Sequence, residues 1–374
     1  MTKHILIAPN ALKHSLGAIE IAKIIKSGLD SSEEKLSYEI APIADGGDGT
    51  SDLVKYYFPK SKFVDCSVHD PLMRTIKSQW LLLEDGTAVI ELAKASGLSL
   101  LAENELNPMW ANTFGTGELI LSAMDKGCKK IILTLGGSAT VDAGMGILEA
   151  LKVKILDKEN KLLKPGGGFL NSIKEINLRE IDKRIKSCEI HVLCDVRIPL
   201  TGENGAVNRF AAQKGAKEGE KVILEQGMKN LATITKRITG FDFEREPMTG
   251  AAGGVAFTVK AFLDANLHLG FIYLSNLIGL EEKIKKADVI ITSEGSLDAQ
   301  TLMGKGVFEL AKLGKKHKKK IIVFCGKYDK DINWSSYGID SVFQIKPDDI
   351  SEKESILKAN EFLKKSVETA IKYL

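Results

Sequence analysis

Residues 131–146 read IILTLGGSATVDAGMG, and the fold class follows from how this stretch changes character along its length. Ile131 to Leu135 form an apolar run rich in β-branched residues. The run stops at Gly136-Gly137, and a Ser138-Ala139-Thr140 turn leads through Asp142 to the apolar positions Ile147, Leu148 and Leu151. The pattern predicts a buried strand, a tight loop and the start of a helix. Paired glycines let a ligand approach the backbone, and the N–H groups that open a helix have no intrahelical partners, so such a loop suits a phosphate. Its spacing is neither the dinucleotide G-x-G-x-x-G nor a P-loop ending in Gly-Lys-Ser/Thr, so a strand-to-helix turn with no ligand fits the loop equally well.

Outward from this stretch, both chain ends repeat the strand, loop and helix alternation. Near the start, 4–8 reads as a strand ending at Pro9, with Ser15 as cap of a helix whose apolar face is Ile19, Ala22, Ile24, Ile25 and Leu29. A strand at 38–43 then runs into Ala44-Asp45-Gly46-Gly47-Asp48-Gly49-Thr50 and a helix through Leu53, Val54 and Tyr57. From Ala287 onward come a strand at 289–292, a helix at 307–313, strands at 321–324 and 341–345, and a last helix. That helix has a capping box at Ser351-Glu352-Lys353-Glu354 and an apolar stripe through Ile356, Leu357, Phe362, Leu363, Val367 and Ile371. Between the two ends the pattern is irregular and glycine-rich. Short strands joined by turns at Asp70-Pro71 and Asp85-Gly86 fill 62–92, Phe114-Gly115-Thr116-Gly117 opens a helix, and Gly166-Gly167-Gly168 marks a loop. A strand at 190–193 and a helix at 223–238 follow, and 250–254 (GAAGG) leads into another helix.

The expected architecture is therefore α/β with two domains. Residues 1–65 and 285–374 form a discontinuous Rossmann/flavodoxin-like parallel-sheet domain, and 66–284 form an inserted, glycine-rich mixed α/β domain.

Composition narrows the function classes. The 374 residues are 44% hydrophobic with a net charge of +3, enough apolar content for a large core and no dense basic face of the kind nucleic acid requires. The basic run 315–320 (KKHKKK) reads as a solvated helix end, with anion steering as the alternative. Five cysteines with no C-x-x-C pair argue against a disulfide framework and a zinc site. No apolar stretch is long and unbroken enough for a membrane span, so a cytoplasmic protein is expected, and a homo-oligomer is left open.

Five glycine-bearing loops, 44–50, 114–117, 136–146, 250–254 and 293–305, each follow a strand or open a helix. Together they suggest a cleft of backbone amides around a polyphosphate. Carboxylates accompany them: Asp45 and Asp48 after one strand, Asp195 after another, Glu294 and Asp298 after a third. Phosphoryl transfer needs groups that hold phosphates, carboxylates for Mg²⁺ and an acceptor for the proton of the attacking hydroxyl, and all three types are present. Taken singly, each aspartate reads rather as an Asx-turn or a helix cap, and Lys13 or Lys305 as a surface lysine. Ser138 lies outside any G-x-S-x-G elbow, which argues against a serine hydrolase.

Read together, IAPNALKHSL (7–16), PIADGGDGT (42–50), ELAKASGL (91–98), GTGELI (115–120), GGSATVDAGMG (136–146), CDVRIPLTG (194–202), QKGA (213–216), GAAGG (250–254) and ITSEGSLDAQTLMGK (291–305) resemble the bacterial glycerate kinase family, the type forming 2-phosphoglycerate. The resemblance spans essentially the whole chain. It implies ATP-dependent phosphorylation of glycerate with Mg²⁺. On this reading Asp195, Asp298 and Lys13 are the candidate catalytic groups, with Asp45 and Glu294 at the metal. Phosphates would meet Gly46, Gly47, Gly115, Thr116, Gly117, Gly136, Gly137, Ser138, Gly253, Gly254 and Lys305, and the acid would meet Asn10, Ser296 and Arg197. Several positions depart from the family's usual pattern: Asn10 stands for Asp, Val141 and Ile198 for Asn, Ser293 for Gly, Ser296 for Arg and Gly306 for Pro. These departures raise two alternatives, a kinase of a less polar small hydroxy acid and a non-catalytic nucleotide or metabolite sensor on the same fold.

Overall fold

The computed structural model describes residues 2–12, 15–33, 35–299, 301–304, 306–347 and 349–374. The chain divides into two compact units, Met1–Asp45 with Gly270–Leu374, and Gly46–Leu269.

The first unit is built on a five-stranded parallel sheet in the order Ser341–Gln344, Lys320–Tyr328, Val289–Leu297, Lys3–Ile7, Leu36–Ile40. Its central strands are apolar along their length because both faces are covered, as parallel sheets require. Alternation sends Ile5, Ile7, Ile291, Ile322 and Phe324 to one face, where helices Ala18–Leu29 and Ala359–Ala370 supply Ile21, Ile25, Leu363 and Val367. Leu6, Ile290, Ile321 and Val323 point the other way, onto Leu280, Ile284, Val307 and Leu310.

The second unit holds a six-stranded sheet in the order Asn266–Leu269, Glu189–Cys194, Lys130–Thr134, Thr87–Glu91, Thr75–Leu82, Lys62–His69. The first four strands run parallel and the last two antiparallel, which makes the sheet mixed. The strand of the central stretch, Lys130–Thr134, sits in its middle, buried from Ile131 onward.

Several local expectations are corrected. The units divide earlier than residues 65 and 285. Helix Thr50–Tyr57 contacts the Thr75–Leu82 and Thr87–Glu91 strands, and Phe271, Leu280 and Ile284 belong to the core of the first unit. Ser15 does not cap Ala18–Leu29; Gly17 precedes that helix, and the Ser15 hydroxyl donates to Ile356 O instead. The strand expected at 38–43 ends at Ile40. Ser351 does accept from Glu354 N, but the last helix breaks at Lys358 into Glu352–Leu357 and Ala359–Ala370, which leaves Leu357 78% exposed and outside the apolar stripe. The basic run ends helix Gly306–Lys316: Lys316 and His317 both donate to Glu281, and the Lys316 bond leads the effects that hold this carboxyl down at about 2.

At one edge of the mixed sheet His191 Nδ1 lies 2.9 Å from His268 Nε2, and His191 Nε2 lies 2.8 Å from Glu189 Oε1. Burial, then the neighbouring His191, depresses the His268 pKa below its usual 6.5. A depressed histidine contributes stability that is present above 6.5 and lost as pH falls through the folded-state value. Melting temperature is expected to fall more steeply between pH 7.5 and pH 5 in the natural protein than in His268→Gln. Parallel slopes in the two proteins would remove this assignment.

Candidate active site

In the first unit the strands Lys3–Ile7 and Val289–Leu297 are neighbours whose onward connections run to opposite sides of the sheet. Such a switch point is where open parallel sheets bind ligands, beyond the carboxyl ends of the strands. The two strand ends are tied together there: Asn10 N donates to Ser293 O at 3.3 Å, and Ser293 Oγ donates to Asn10 O at 2.6 Å. Asn10 Nδ2 in turn donates to Glu294 Oε2 at 3.3 Å, while Gly295 N donates to Oε1 at 3.1 Å. Glu294 is 3% exposed, Asn10 6% and Asp45 8%. Helix Gly306–Lys316 begins beside them, because a Cβ at Gly306 would stand 3.6 Å from Asn10 Nδ2 and 3.7 Å from Asp45 Cβ. Asn10, Asp45 and Glu294 are thus brought together.

Ser296 and Asp298 follow on the same segment. Ser296 Oγ donates to Asp298 Oδ2 at 3.0 Å, Thr301 N donates to Oδ1 at 3.3 Å, and Asp298 N donates to Thr301 Oγ1 at 3.1 Å. Asp298 is therefore held in a fixed turn and remains half-buried. Lys13 and Lys305 lie outside the described residues.

In the second unit the Gly46–Asp48 loop and the Gly136–Ser138 loop pack backbone against backbone. Gly136 N donates to Gly46 O at 3.4 Å, and a Cβ on Gly136 would come within 2.3 Å of Gly47 Cα. Gly137 has φ of +69°, and a Cβ there would meet Asp48 Oδ1 at 2.2 Å, so no other residue serves at either position. Gly253 and Gly254, with Ala252, carry left-handed dihedrals at the start of helix Ala251–Leu263, and Gly253 O accepts from Ala143 N at 3.0 Å. Gly115 and Gly117 face protein: a Cβ on the first would collide with His69 O and on the second with Ala150. Thr116 is fully buried, its hydroxyl 2.7 Å from Ser96 Oγ. These three residues pack helix Phe114–Asp125 rather than line open space. Asp195, at the end of the Glu189–Cys194 strand, is half-buried, and Arg197 is exposed. Val141, a departure from the family pattern, is a core residue with no exposure.

Three polar residues of this unit carry more than their sequence context suggested. Glu91, 2% exposed at the end of its strand, accepts from Gly49 N, Ser51 N and Ser51 Oγ and so caps helix Thr50–Tyr57 from outside. Asp142, fully buried, accepts from Thr113 N, Thr113 Oγ1, Gly144 N and Gly146 N. Burial pushes its carboxyl up, against the pull of those four donors. Lys214 is 2% exposed, and its Nζ donates to Ser138 Oγ at 2.7 Å and to Thr140 O at 2.8 Å. Burial lowers it to about 7, partly offset by Asp142. The signal available for Lys214 was its place in QKGA (213–216), one of the stretches that carry the family resemblance; its neighbours Ala212, Gln213 and Gly215 are exposed and gave no sign of burial.

The glycerate kinase family model matches residues 5–374. The chain belongs to the glycerate kinase family. It is 37% identical over 343 residues to the glycerate 2-kinase of Escherichia coli, covering 91% of this chain and 90% of that protein. It is 35% identical over 365 residues to the glycerate kinase of Bacillus subtilis, covering 97% and 95%. A crystal structure from Salmonella typhimurium LT2 that carries the name glycerate kinase 2 superposes with a TM-score of 0.83 at 32% identity, over 100% of this chain and 98% of that one. Among the described residues no helix is long and apolar enough to cross a membrane.

Among the described residues no three His, Cys, Asp or Glu side chains are grouped to hold a metal unaided. Mg²⁺ is ordinarily held by one or two carboxylates together with waters and substrate phosphates. Asp45 and Glu294 offer hard oxygen donors of this kind from buried positions.

Proposed function

We propose that this chain transfers the γ-phosphoryl group of ATP to a hydroxyl of glycerate, forming 2-phosphoglycerate, in the cytoplasm. The observation that carries the reading is the meeting of Asp45, Glu294 and Asn10 at the switch point of a parallel sheet, in a chain of this family. Asp45 and Glu294 would hold Mg²⁺, which on binding supplies compensation for the charge of the phosphates. Asn10 positions Glu294 through its amide. Backbone N–H groups of Gly46, Gly47, Gly137 and Ser138 would meet the phosphates, Gly136 N being taken by Gly46 O, and Asp195 or Asp298 takes the proton of the attacking hydroxyl. Small-molecule recognition, without nucleic acid or membrane, is the partner class.

A second reading concerns the acid. Ser296 replaces a long cationic side chain of the family pattern and spends its hydroxyl on Asp298, so it offers no charge-assisted bond to a substrate carboxylate. Such a bond is worth about 1.5–3 kcal/mol, roughly one to two powers of ten in affinity. Both readings are tested by coupled ADP release with ATP and Mg²⁺ across a panel of small hydroxy acids. Glycerate is expected to be turned over with a KM between roughly 1 µM and 1 mM. A better substrate among less polar acids, with kcat/KM for glycerate improved by Ser296→Arg, would favour the second reading. ADP release that no acid stimulates would leave only a sensor.

A further inference from the structure

Lys214 has almost no exposure, and the two groups that its Nζ bonds, Ser138 Oγ and Thr140 O, are uncharged. Asp142 acts on it only through space, its own oxygens being taken up by Thr113, Gly144 and Gly146. Burying a charge without a contact partner costs several kcal/mol on the order-of-magnitude scale for such groups, so it persists where something else requires it. The two bonds that Lys214 makes both go to the glycine loop, to Ser138 Oγ and Thr140 O.

The direction of the first bond decides what Ser138 can do. Thr140 O can only accept, and a charged Nζ has no lone pair, so in the charged form of Lys214 Ser138 Oγ is the acceptor and its own proton points elsewhere. Among the described residues no acceptor takes that proton. Thr140 Oγ1, also buried, has no hydrogen-bond partner among the described residues. The loop backbone cannot turn to provide one, because Leu98 N donates to Gly137 O at 2.8 Å and Ala139 N to Ser96 O at 2.9 Å, clamping it on the far side.

We propose that Lys214 is a positioning residue that holds Ser138 as a hydrogen-bond donor to an anionic oxygen of the reacting molecules, a phosphate or the acid's carboxylate. The assignment rests on the kinase reading above. Replacing Lys214 with methionine keeps volume and removes the desolvation cost of the charge, but leaves Ser138 Oγ and Thr140 O without their donor. A merely structural lysine would therefore show its loss in melting temperature, with no coupling to Ser138 in kcat/KM.

The experiment is a double-mutant cycle on the full chain with Lys214→Met, Ser138→Ala and the pair, reading kcat/KM for glycerate alongside melting temperature, with Lys214→Arg as the conservative variant. Each single change is expected to lower kcat/KM by about 10²-fold, the scale for loss of one oriented donor, with the pair no worse than either single change and Lys214→Arg partly restored. Losses that multiply in the pair, or a kcat/KM within about threefold of the natural protein in Lys214→Met, would overturn the proposal. In parallel, calorimetry measures the affinity for inorganic pyrophosphate and for glycerate in the same proteins. If the natural protein turns over no glycerate, the kinase reading falls and the anion data alone decide. Weaker binding of either anion in both Lys214→Met and Ser138→Ala then supports the donor role, and unchanged or absent binding of both ends it.

Discussion

Chelation of divalent metal is expected to reduce glycerate-dependent ADP release by about three powers of ten, the kinetic equivalent of the several kcal/mol that a bound metal contributes to a phosphoryl transition state. The expectation comes from the first unit. Asp45 and Glu294 are carboxylates withdrawn from water at the carboxyl ends of parallel strands, and Asn10 and Gly295 N already occupy one contact on each oxygen of Glu294. Such groups cost stability unless a cation or donor set repays them. Glu294→Gln keeps shape and removes charge, so activity should drop by a similar factor, and raising Mg²⁺ concentration should recover part of it. ADP release that persists unchanged in EDTA, or a Glu294→Gln enzyme with the natural Mg²⁺ dependence, would show that these carboxylates serve another purpose.

The second large effect is expected at the group that accepts the hydroxyl proton. Asp298 and Asp195 both follow strand ends and are both half-buried, one in each unit. Ser296 Oγ, Thr301 N and Thr301 Oγ1 lock the carboxylate and backbone of Asp298 into one turn. Loss of a general base lowers kcat by roughly 10²- to 10⁴-fold. Asp298→Asn keeps the Ser296 contact geometry and should show that loss in kcat with KM little changed and the melting temperature held within a few degrees. Asp195→Asn, measured beside it, assigns the role: a loss confined to one variant names the base. Full activity in both would place proton transfer on another group.

Legibility differed between fold and site for physical reasons. Parallel strands buried on both faces need continuous apolar runs, and helices packed on them need a 3.6-residue stripe, so both patterns stand in the linear order of residues. The strand through Ile131–Thr134 and the helix cores at Ile21, Ile25, Leu363 and Val367 were readable for that reason. The mixed character of the second sheet was equally visible in strands joined by short turns with no helix between them. Positions defined by a neighbour distant in sequence were not readable. Ser15 gave up a capping role because Gly17 and Ile356 lay closer to hand, and Leu357 left the apolar stripe because the last helix breaks at Lys358.

The same distinction runs through the candidate site. Sequence alone determined the α/β class, the family and the residue types for phosphate and metal chemistry, since glycine pairs and carboxylates after strand ends are local features. Tertiary structure decided how those residues are spent. Gly115 and Gly117 went to helix packing, whereas Gly136 went to a backbone contact with Gly47 and Gly137 to a close approach of the Asp48 carboxylate. Glu91, Asp142 and Lys214 drew their roles from partners 29 to 76 residues away. A hydrogen bond depends on where two groups lie in space, and the order of residues encodes that placement only through the whole packed core.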